Sequence, residues 1–277
     1  MKNAIFITFD DRFSSLARAC LKSLVQNYPE HPQLFVYYDG KSERILKFLQ
    51  GIPNTQLVPK IEIPGISDSL NLGEVGSATV YYRYFAWGDF FADFDNVLYL
   101  DVDTLILRSL DDLLDTSEFF VVENREPTQS VRVFDPNDLQ DEGLCSLLAQ
   151  DQLPTMQGEA DMCNAGVFVI PRKLRSLQSQ QQLVEITNRY NRYLKFADQS
   201  AISLWCRKNN IQFSTKYEFN YQITFFNSQL DRRLRDIYVL HFSSVRKPGT
   251  RKFLKWKRIA LSLRIGLSLL FLKYLII

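Results

Sequence analysis

Histidine and cysteine are scarce in this chain of 277 residues. It contains two histidines and four cysteines, and the cysteines, at positions 20, 145, 163 and 206, form no Cys-x-x-Cys pair. Structural zinc sites use clustered cysteine and histidine, and disulfide scaffolds use closely spaced cysteines, so both classes are disfavoured. Scattered free cysteines are typical of a reducing compartment, and we expect a cytoplasmic protein.

We also expect no secretory signal at the start of the chain. The first apolar run, residues 4–9, leads directly into Asp10 and Asp11 without a small-residue cleavage site. Internal repeats and low-complexity tracts are lacking too, while the hydrophobic content is 46%. These properties predict one large globular domain with an appendage.

Acidic residues are missing from the last part of the chain. All 31 lie at or before Asp236 together with 24 of the 33 basic residues, so residues 1–236 carry a net charge of −7 and residues 237–277 carry +9. Seven of the residues 246–258 are basic, and residues 259–277 are largely apolar. This pattern predicts a basic amphipathic helical tail, residues 249–277, that lies on an anionic membrane surface.

Three alternatives exist for this tail. A membrane-spanning helix is disfavoured by Arg264, because only the residues between Ile265 and Lys273 then form an uncharged stretch. Nucleic acid would attract the basic residues but gives the apolar end no role, so we expect no nucleic-acid partner. The third alternative, that the tail is a helix docked onto the main domain, is also compatible with the sequence.

Strand and helix periodicity alternate along the first 63 residues. Strands are predicted at residues 4–9, 33–38 and 56–63, and helices at 14–26 and 42–50, the latter with Ser42 as N-cap. A β-α-β-α-β order is typical of a parallel sheet covered on both faces. Beyond it we predict an aromatic helix at 80–91, strands at 97–100, 117–123, 166–170 and 239–242, and helices at 183–196 and 200–208. Residues 64–79 and 126–159 are predicted to be irregular segments that shape a site.

Two aspartates follow the strand at 97–100 at alternate positions. Since successive strand side chains point to opposite faces, Asp101 and Asp103 share one side while Val102 points to the core. Adjacent like charges are unfavourable unless a cation lies between them, and carboxylates suit Mg²⁺ or Mn²⁺, ions that bridge to substrate phosphates. The other Asp-x-Asp, Asp93 and Asp95, lies in a polar link and is predicted to be a solvated turn. The pair at the strand end therefore predicts a metal site for a nucleotide.

Five ordered segments resemble the motifs of family 8 glycosyltransferases, the group that includes glycogenin and bacterial galactosyl- and glucosyltransferases of lipopolysaccharide synthesis. They are residues 5–11, residues 82–103 with Arg83, Asn164-Ala165-Gly166, Asp198-Gln199, and His241 with Lys247-Pro248 six positions later. The resemblance implies an α/β fold, a single domain of GT-A type over residues 1–248 with a mostly parallel, Rossmann-like sheet, followed by the tail.

The resemblance also implies a role for each motif residue. Asp101, Asp103 and His241 would bind Mn²⁺ or Mg²⁺, and Asp198 and Gln199 would be catalytic, with Gln199 at the face of the anomeric carbon. A UDP-sugar would be bound by Thr8, Asp10, Asp11, Phe13, Arg83, Asp101, Val102, Asn164, Ala165, Gly166 and Lys247. Glycine at 166 would let the backbone and the sugar approach closely.

Several of these residues have both a binding and a structural interpretation. Asp10 or Asp11 can accept the N–H of uracil while Phe13 lies against the ring, or the pair can form an ordinary capping turn. His241 ends an apolar strand, so it is either a metal ligand or a buried core residue. Lys247 would reach the diphosphate as a point charge.

The same choice applies to two further positions. The guanidinium of Arg83 can grip a phosphate or sugar oxygen, or it can stack over Tyr81, Tyr84 or Trp87. Asp198 can bind a donor-sugar hydroxyl or cap the helix that follows it.

The implied reaction is the transfer of a hexose from UDP-glucose or UDP-galactose to an acceptor hydroxyl with retention of configuration. A front-side route, in which the leaving phosphate deprotonates the acceptor, needs no enzyme nucleophile. The acceptor would be an oligosaccharide or glycolipid of lipopolysaccharide or another cell-surface glycan, reached from the cytoplasmic face of the bacterial inner membrane. The alternatives are a nucleotide-sugar-binding protein without turnover and a nucleotidyltransferase, although no glycine- and lysine-rich phosphate loop follows the first strand.

Overall fold

The computed structural model describes residues 1–67, 69–70, 78–124, 133–135, 137–153, 162–223 and 234–243. Lys247 and the predicted tail, residues 249–277, lie outside the described residues. Parts of the segments at 64–79 and 126–159 do so as well.

Two sheets make up the centre of the fold. The strands are β1 (Asn3–Asp10), β2 (Gln33–Asp39), β3 (Thr55–Leu57), β4 (Asn96–Leu100), β5 (Thr104–Ile106), β6 (Phe120–Glu123), β7 (Cys163–Pro171), β8 (Tyr221–Gln222) and β9 (Val239–His241). A six-stranded sheet has the order β3-β2-β1-β4-β7-β6, and a three-stranded sheet has the order β5-β9-β8.

One strand of the large sheet runs against the others. β1 is parallel to β2 and β4, and β2 is parallel to β3, whereas β7 is antiparallel to both β4 and β6. The predicted mostly parallel sheet is therefore confirmed, with β7 reversed. Because of this reversal, the first residues of β7 lie at the edge where β4 ends, and Asp101 N donates to Gly166 O at 2.7 Å.

Helices cover both faces of the large sheet, as the alternating pattern predicts. They are α1 (Ser14–Asn27), α2 (Glu43–Gln50), α3 (Asp111–Leu114), α4 (Glu142–Gln150), α5 (Leu177–Tyr190) and α6 (Ala197–Lys208). Side chains of α1 and α2 share one buried cluster with Ile5 and Leu98, and side chains of α5 and α6 share the other with Phe6 and Tyr99. Within the described ranges, no helix combines the length and apolar character needed to cross a bilayer.

The aromatic segment, predicted as a helix at 80–91, forms a 3₁₀ helix, Ala78–Trp87, and a short second one, Asp89–Phe91. Its rings contact one another at a spacing of three residues, with Tyr81 against Tyr84 and Tyr84 against Trp87. Three residues per turn align these rings into one row, which explains the tighter helix. The segment packs on β1 and β4.

The predicted strand at 56–63 is much shorter in the structure. β3 ends at Leu57, and Val58 N donates the last bond to β2, at Val36 O. Pro59 follows and has no N–H to continue the ladder.

Helix boundaries differ from the predicted ones where polar residues hide the periodicity. The predicted helix at 183–196 is α5, which begins six residues earlier behind Ser176, whose side chain accepts from Ser179 N. α4 lies inside the predicted irregular segment and is capped by Asp141. Ser42 stands at the N-cap of α2, but its side chain makes no capping hydrogen bond. The prediction also missed β5, β8 and α3.

Candidate metal centre

Strand pairing in the small sheet brings His241 beside the aspartate pair. Asp101 follows β4, and Asp103 directly precedes β5. Thr104 of β5 pairs with His241 of β9, and Phe242 N donates to Asp103 O at 2.9 Å. His241 Nε2 consequently lies 3.1 Å from Asp103 Oδ1.

The resulting cluster has the donors that a divalent cation requires. One ligand atom from each of Asp101, Asp103 and His241 lies within 4.8 Å of the others. His241 is buried, while both carboxylates are partly exposed. Two carboxylates and one imidazole suit Mn²⁺ or Mg²⁺, so the residues fit such an ion.

The second Asp-x-Asp differs in its surroundings. Asp93 is exposed, and Asp95 accepts from Lys2 N and pairs with Arg172 on the surface. Both lie in the turn before β4, as the sequence predicts for this pair.

The Asp101 carboxylate is held in position by two side-chain donors. Its Oδ1 accepts from Arg83 Nη2 at 2.9 Å and from Tyr99 Oη at 3.0 Å. Tyr99 was missed in the sequence, although the strand alternation that pairs Asp101 with Asp103 puts Tyr99 on the same face.

Arg83 is a buried bridge across the site. Its Nη1 donates to Ala165 O at 2.7 Å and its Nε donates to Val80 O at 2.9 Å. Nε also lies 2.9 Å from Asp198 Oδ2, so that Arg83 joins Asp101 to Asp198. The predicted stacking partners are wrong, because the guanidinium lies over the ring of Tyr99, 4.8 Å from its centroid.

Asp198 does not cap α6, and that interpretation is wrong. The helix begins at Ala197, whose φ of +47° is unusual for a residue with a side chain, and the N-cap position is held by Phe196. Asp198 therefore falls in the first turn with its side chain buried beside Arg83. Burial raises the pKa of Asp198 to about 6, against the opposing effect of Arg83. The next side chain, Gln199, accepts through Oε1 from Ala165 N at 3.2 Å.

Position 166 requires glycine because the imidazole of His241 occupies the space where a side chain would lie. A Cβ on Gly166 would lie 2.1 Å from His241 Cε1. The predicted reason was close approach of a sugar, whereas the structure gives the neighbouring ring as the reason. Asn164, two residues before Gly166, accepts through Oδ1 from Gly166 N at 3.1 Å and from Asn220 Nδ2 at 2.9 Å.

The carboxylates after β1 are both hydrogen-bonded to other residues of the protein. Asp10 caps the short 3₁₀ helix Asp11–Phe13 by accepting from Arg12 N, and it also pairs with the Arg12 guanidinium at 2.8 Å. Asp11 accepts from Tyr38 Oη and from Lys41 N. The capping interpretation of Asp10 is therefore correct.

The remaining predicted residues lie close to the same edge of the sheet. Thr8 is buried, with its hydroxyl 3.2 Å from Tyr99 Oη, and Phe13 is partly buried. Val102 is buried on the core side, as alternation predicts. Asn220, whose Oδ1 lies 2.9 Å from His241 Nδ1, was missed because nothing in its local sequence distinguishes it.

Among the described residues, a large groove lies away from the metal cluster. It has a volume of about 800 Å³ and is lined by the last residues of α4 and α6 and the segment that follows α6. The lining groups include none of the three potential metal ligands. The chemistry of the side chains, and not the size of a cavity, locates the candidate site.

Comparison with known proteins gives a consistent assignment. The model of glycosyl transferase family 8 matches residues 4–252. A search of curated protein sequences finds no significant match. Among solved structures, the galactosyltransferase LgtC in complex with donor and acceptor sugar analogues is 19% identical with a TM-score of 0.61, over 96% of this chain and 95% of that one.

Two further solved structures have the same fold. An active-site glutamine-to-glutamate mutant of LgtC is 20% identical with a TM-score of 0.62, over 95% of each chain. The apo form of the glycosyltransferase GlyE from Streptococcus pneumoniae is 19% identical with a TM-score of 0.58, over 100% of this chain and 61% of that one. Since the family match spans about nine tenths of the sequence, this chain belongs to glycosyl transferase family 8.

Proposed function

We propose that the protein is a metal-dependent, retaining hexosyltransferase that uses a UDP-sugar, UDP-glucose or UDP-galactose, and acts on a saccharide acceptor of lipopolysaccharide or another cell-surface glycan. The observation that carries this proposal is the cluster of Asp101, Asp103 and His241 at the carboxyl end of the sheet, in a chain of family 8. Open α/β sheets bind nucleotides at this edge.

Mn²⁺ or Mg²⁺ would be held by these three side chains. When bound, such an ion supplies positive charge that stabilises a departing diphosphate. The protein keeps the first ligand in place through Arg83 and Tyr99, which both donate to Asp101 Oδ1. An orientation fixed before the substrate arrives lowers the cost of reorganisation during the reaction.

Gln199 and Asp198 are the residues that we assign to the donor sugar. Gln199 is tied to Ala165 N, so its side chain is fixed to the motif Asn164-Ala165-Gly166. The transition state of glycosyl transfer has oxocarbenium-ion character, and an amide oxygen or a carboxylate on that face stabilises positive charge. The active-site glutamine named for LgtC supports the assignment of Gln199.

Retention would follow from a front-side route in which the leaving phosphate takes the proton of the acceptor hydroxyl. For the nucleotide we propose contacts with Thr8, Asp10, Asp11, Phe13 and the backbone of Val102, whose side chain is buried. Lys247, which lies outside the described residues, is proposed from the sequence alone to neutralise the diphosphate.

Release of UDP tests this function. Purified protein is incubated with UDP-glucose, UDP-galactose or UDP-N-acetylglucosamine in Mn²⁺ or in EDTA, and free UDP is measured. We expect release from at least one donor in Mn²⁺ and none in EDTA. Asp103→Asn should lower the rate by more than the roughly 10–100-fold cost of outer-shell changes. Asp93→Asn, in the exposed second Asp-x-Asp, is the matched control and should leave the rate unchanged.

The alternative functions give different results in the same assay. A nucleotide-sugar-binding protein without turnover would bind UDP with Mn²⁺ but release none from a donor. A nucleotidyltransferase would also release no UDP from a donor, but it would form a UDP-sugar when sugar phosphate and UTP are supplied instead. Release that persists in EDTA would remove the metal from the mechanism.

We also propose that residues 249–277 hold the enzyme on the cytoplasmic face of the bacterial inner membrane. The support is their sequence, in which basic and apolar residues are interleaved without any acidic residue. Each basic residue near an anionic surface contributes about 1 kcal/mol, an attraction that salt screens. The full chain should float with vesicles that contain phosphatidylglycerol and not with neutral vesicles. Flotation on both kinds of vesicle, or on neither, would contradict the proposal.

A further inference from the structure

The side chain of Asn220 lies behind His241 and has a different partner at each of its polar atoms. It is fully buried just before β8. Its Nδ2 is 2.9 Å from Asn164 Oδ1 and 3.2 Å from Asn164 O. Its Oδ1 is 2.9 Å from His241 Nδ1.

The orientation of this amide is determined by Asn164. The backbone carbonyl of Asn164 can only accept a hydrogen bond. Asn164 Oδ1 is identified as the oxygen because it accepts from Gly166 N at 3.1 Å. Two acceptors therefore face the same end of the Asn220 amide, and that end must be the NH₂ group. The opposite orientation would place the Asn220 oxygen against two buried acceptor oxygens with no hydrogen between them.

This orientation in turn determines which imidazole nitrogen carries the proton. Asn220 Oδ1 is an acceptor only, so His241 Nδ1 must be the donor. A neutral imidazole has one N–H, which leaves Nε2 with its lone pair. Nε2 is the nitrogen that faces Asp103.

We propose that Asn220 is a positioning residue that holds the proton of His241 on Nδ1 and so presents the Nε2 lone pair to a divalent cation. The inference rests on the proposed metal-dependent function. Ligating histidines commonly donate through their second nitrogen to a fixed acceptor, and the loss of such an acceptor weakens metal binding.

Asp103 is the competing acceptor, because in the protein without metal its Oδ1 could accept a hydrogen bond from Nε2 if that nitrogen carried the proton. The two acceptors, Asn220 Oδ1 and Asp103 Oδ1, differ in their access to water. The Asp103 side chain is 14% exposed, so water can solvate its carboxylate. Asn220 is 0% exposed, and an unmade bond at its Oδ1 has no such substitute. The single proton therefore stays on Nδ1, and a cation relieves the repulsion between Nε2 and Asp103.

The first test is the tautomer of His241 in metal-free protein, measured from imidazole ¹⁵N chemical shifts. Spectra are recorded at alkaline pH, and the ¹⁵N shifts themselves show that the ring is neutral when one nitrogen is protonated and the other is not. The chain has two histidines, and His31 Nδ1, which lies 2.8 Å from Pro32 O, provides an internal reference for an Nδ1–H ring. We expect Nδ1–H for His241 in the wild type.

Two variants of Asn220 separate its two hydrogen-bonding functions. Asn220→Leu removes both and should move the His241 proton to Nε2. Asn220→Asp keeps an acceptor for Nδ1 but loses the donation to Asn164, and it should retain Nδ1–H with reduced stability.

The second test is the affinity for Mn²⁺ itself, measured by electron paramagnetic resonance. Asn220→Leu should weaken binding by roughly 10–100-fold, and Asn220→Asp should weaken it less. The matched control is Asn96→Leu, which removes a buried amide that donates to Leu114 O and Thr116 O away from the site, both at 2.9 Å. It should lower stability without changing Mn²⁺ affinity.

Three results would overturn the inference. One is an Nε2–H tautomer in the wild type, which needs no variant to fold. The others are an unchanged Mn²⁺ affinity in Asn220→Leu and an equal loss in Asn96→Leu. A wild type that binds no Mn²⁺ would instead refute the proposed function, while the tautomer still decides the part played by Asn220.

Discussion

Replacement of Gly166 by alanine should displace His241 from the metal centre. The new Cβ would lie 2.1 Å from His241 Cε1 and 2.7 Å from Nδ1, whereas ordinary contacts begin at 3.4 Å. The ring or the strand must therefore move by about 1.3 Å. β7 is held between β4 and β6 and by the bond from Asp101 N to Gly166 O, so we expect the ring to move.

The size of the effect follows from that displacement. Misplacement of a reacting or binding group by about 1 Å costs roughly 100-fold. We expect Gly166→Ala to raise the Kd for Mn²⁺ by roughly 100-fold and to lower kcat/KM for UDP release by a similar factor. Overpacking should also reduce the free energy of unfolding by about 1–3 kcal/mol.

Titration with Mn²⁺, UDP release and urea denaturation measure these three quantities. Gly51→Ala is the control, since a Cβ there would meet Phe48 O at 3.4 Å, an ordinary contact at the end of α2. In a His241→Ala background the Gly166 substitution should have no further effect on Mn²⁺ binding, because it acts only through the ring. Wild-type Mn²⁺ affinity in Gly166→Ala, or an undiminished effect without the imidazole, would refute the reasoning.

Three further predictions concern stability and accessibility. Arg83→Met leaves the buried Asp198 without its counter-charge and should lower the free energy of unfolding, measured by urea denaturation, by about 3 kcal/mol. The control Arg12→Met, at an exposed position, should lower it by about 0–1 kcal/mol. Equal losses would contradict the bridging role of Arg83. Because burial raises the pKa of Asp198 to about 6, above its value in the unfolded chain, stability from this group is lost as the pH rises through 6. The wild type should thus gain about 1.4 kcal/mol over Asp198→Asn between pH 7.5 and pH 5, and parallel pH profiles would exclude the raised pKa. Iodoacetamide should label the exposed Cys145 in the native protein and reach the other three cysteines, which are buried, only after unfolding; peptide mass spectrometry showing native labelling of those three would contradict their burial.

Local pattern was sufficient for part of the fold and of the site. The apolar run at 97–100 predicts the strand, and the spacing of Asp101 and Asp103 predicts their shared face, because strand side chains repeat every second residue. Helix α1 was found from the apolar residues on one helical face, and the first two strands from their apolar runs. Where proline or glutamine breaks the pattern, as in β3 and α5, the predicted boundaries failed.

The metal centre needed contacts that no local pattern contains. His241 follows Asp103 by 138 residues and meets it through the pairing of β5 with β9. The direction of β7 brings Gly166 beside that ring, and burial leaves Asn220 and Arg83 with only a few possible hydrogen-bond partners. The sequence by itself therefore determined which strand ends in carboxylates. The resemblance to family 8 added His241 as their distant partner. Only the tertiary structure decided how His241 reaches the aspartates and that Tyr99 and Asn220 hold the ligands, because strand pairing and the need to satisfy buried polar atoms act between residues far apart in the chain.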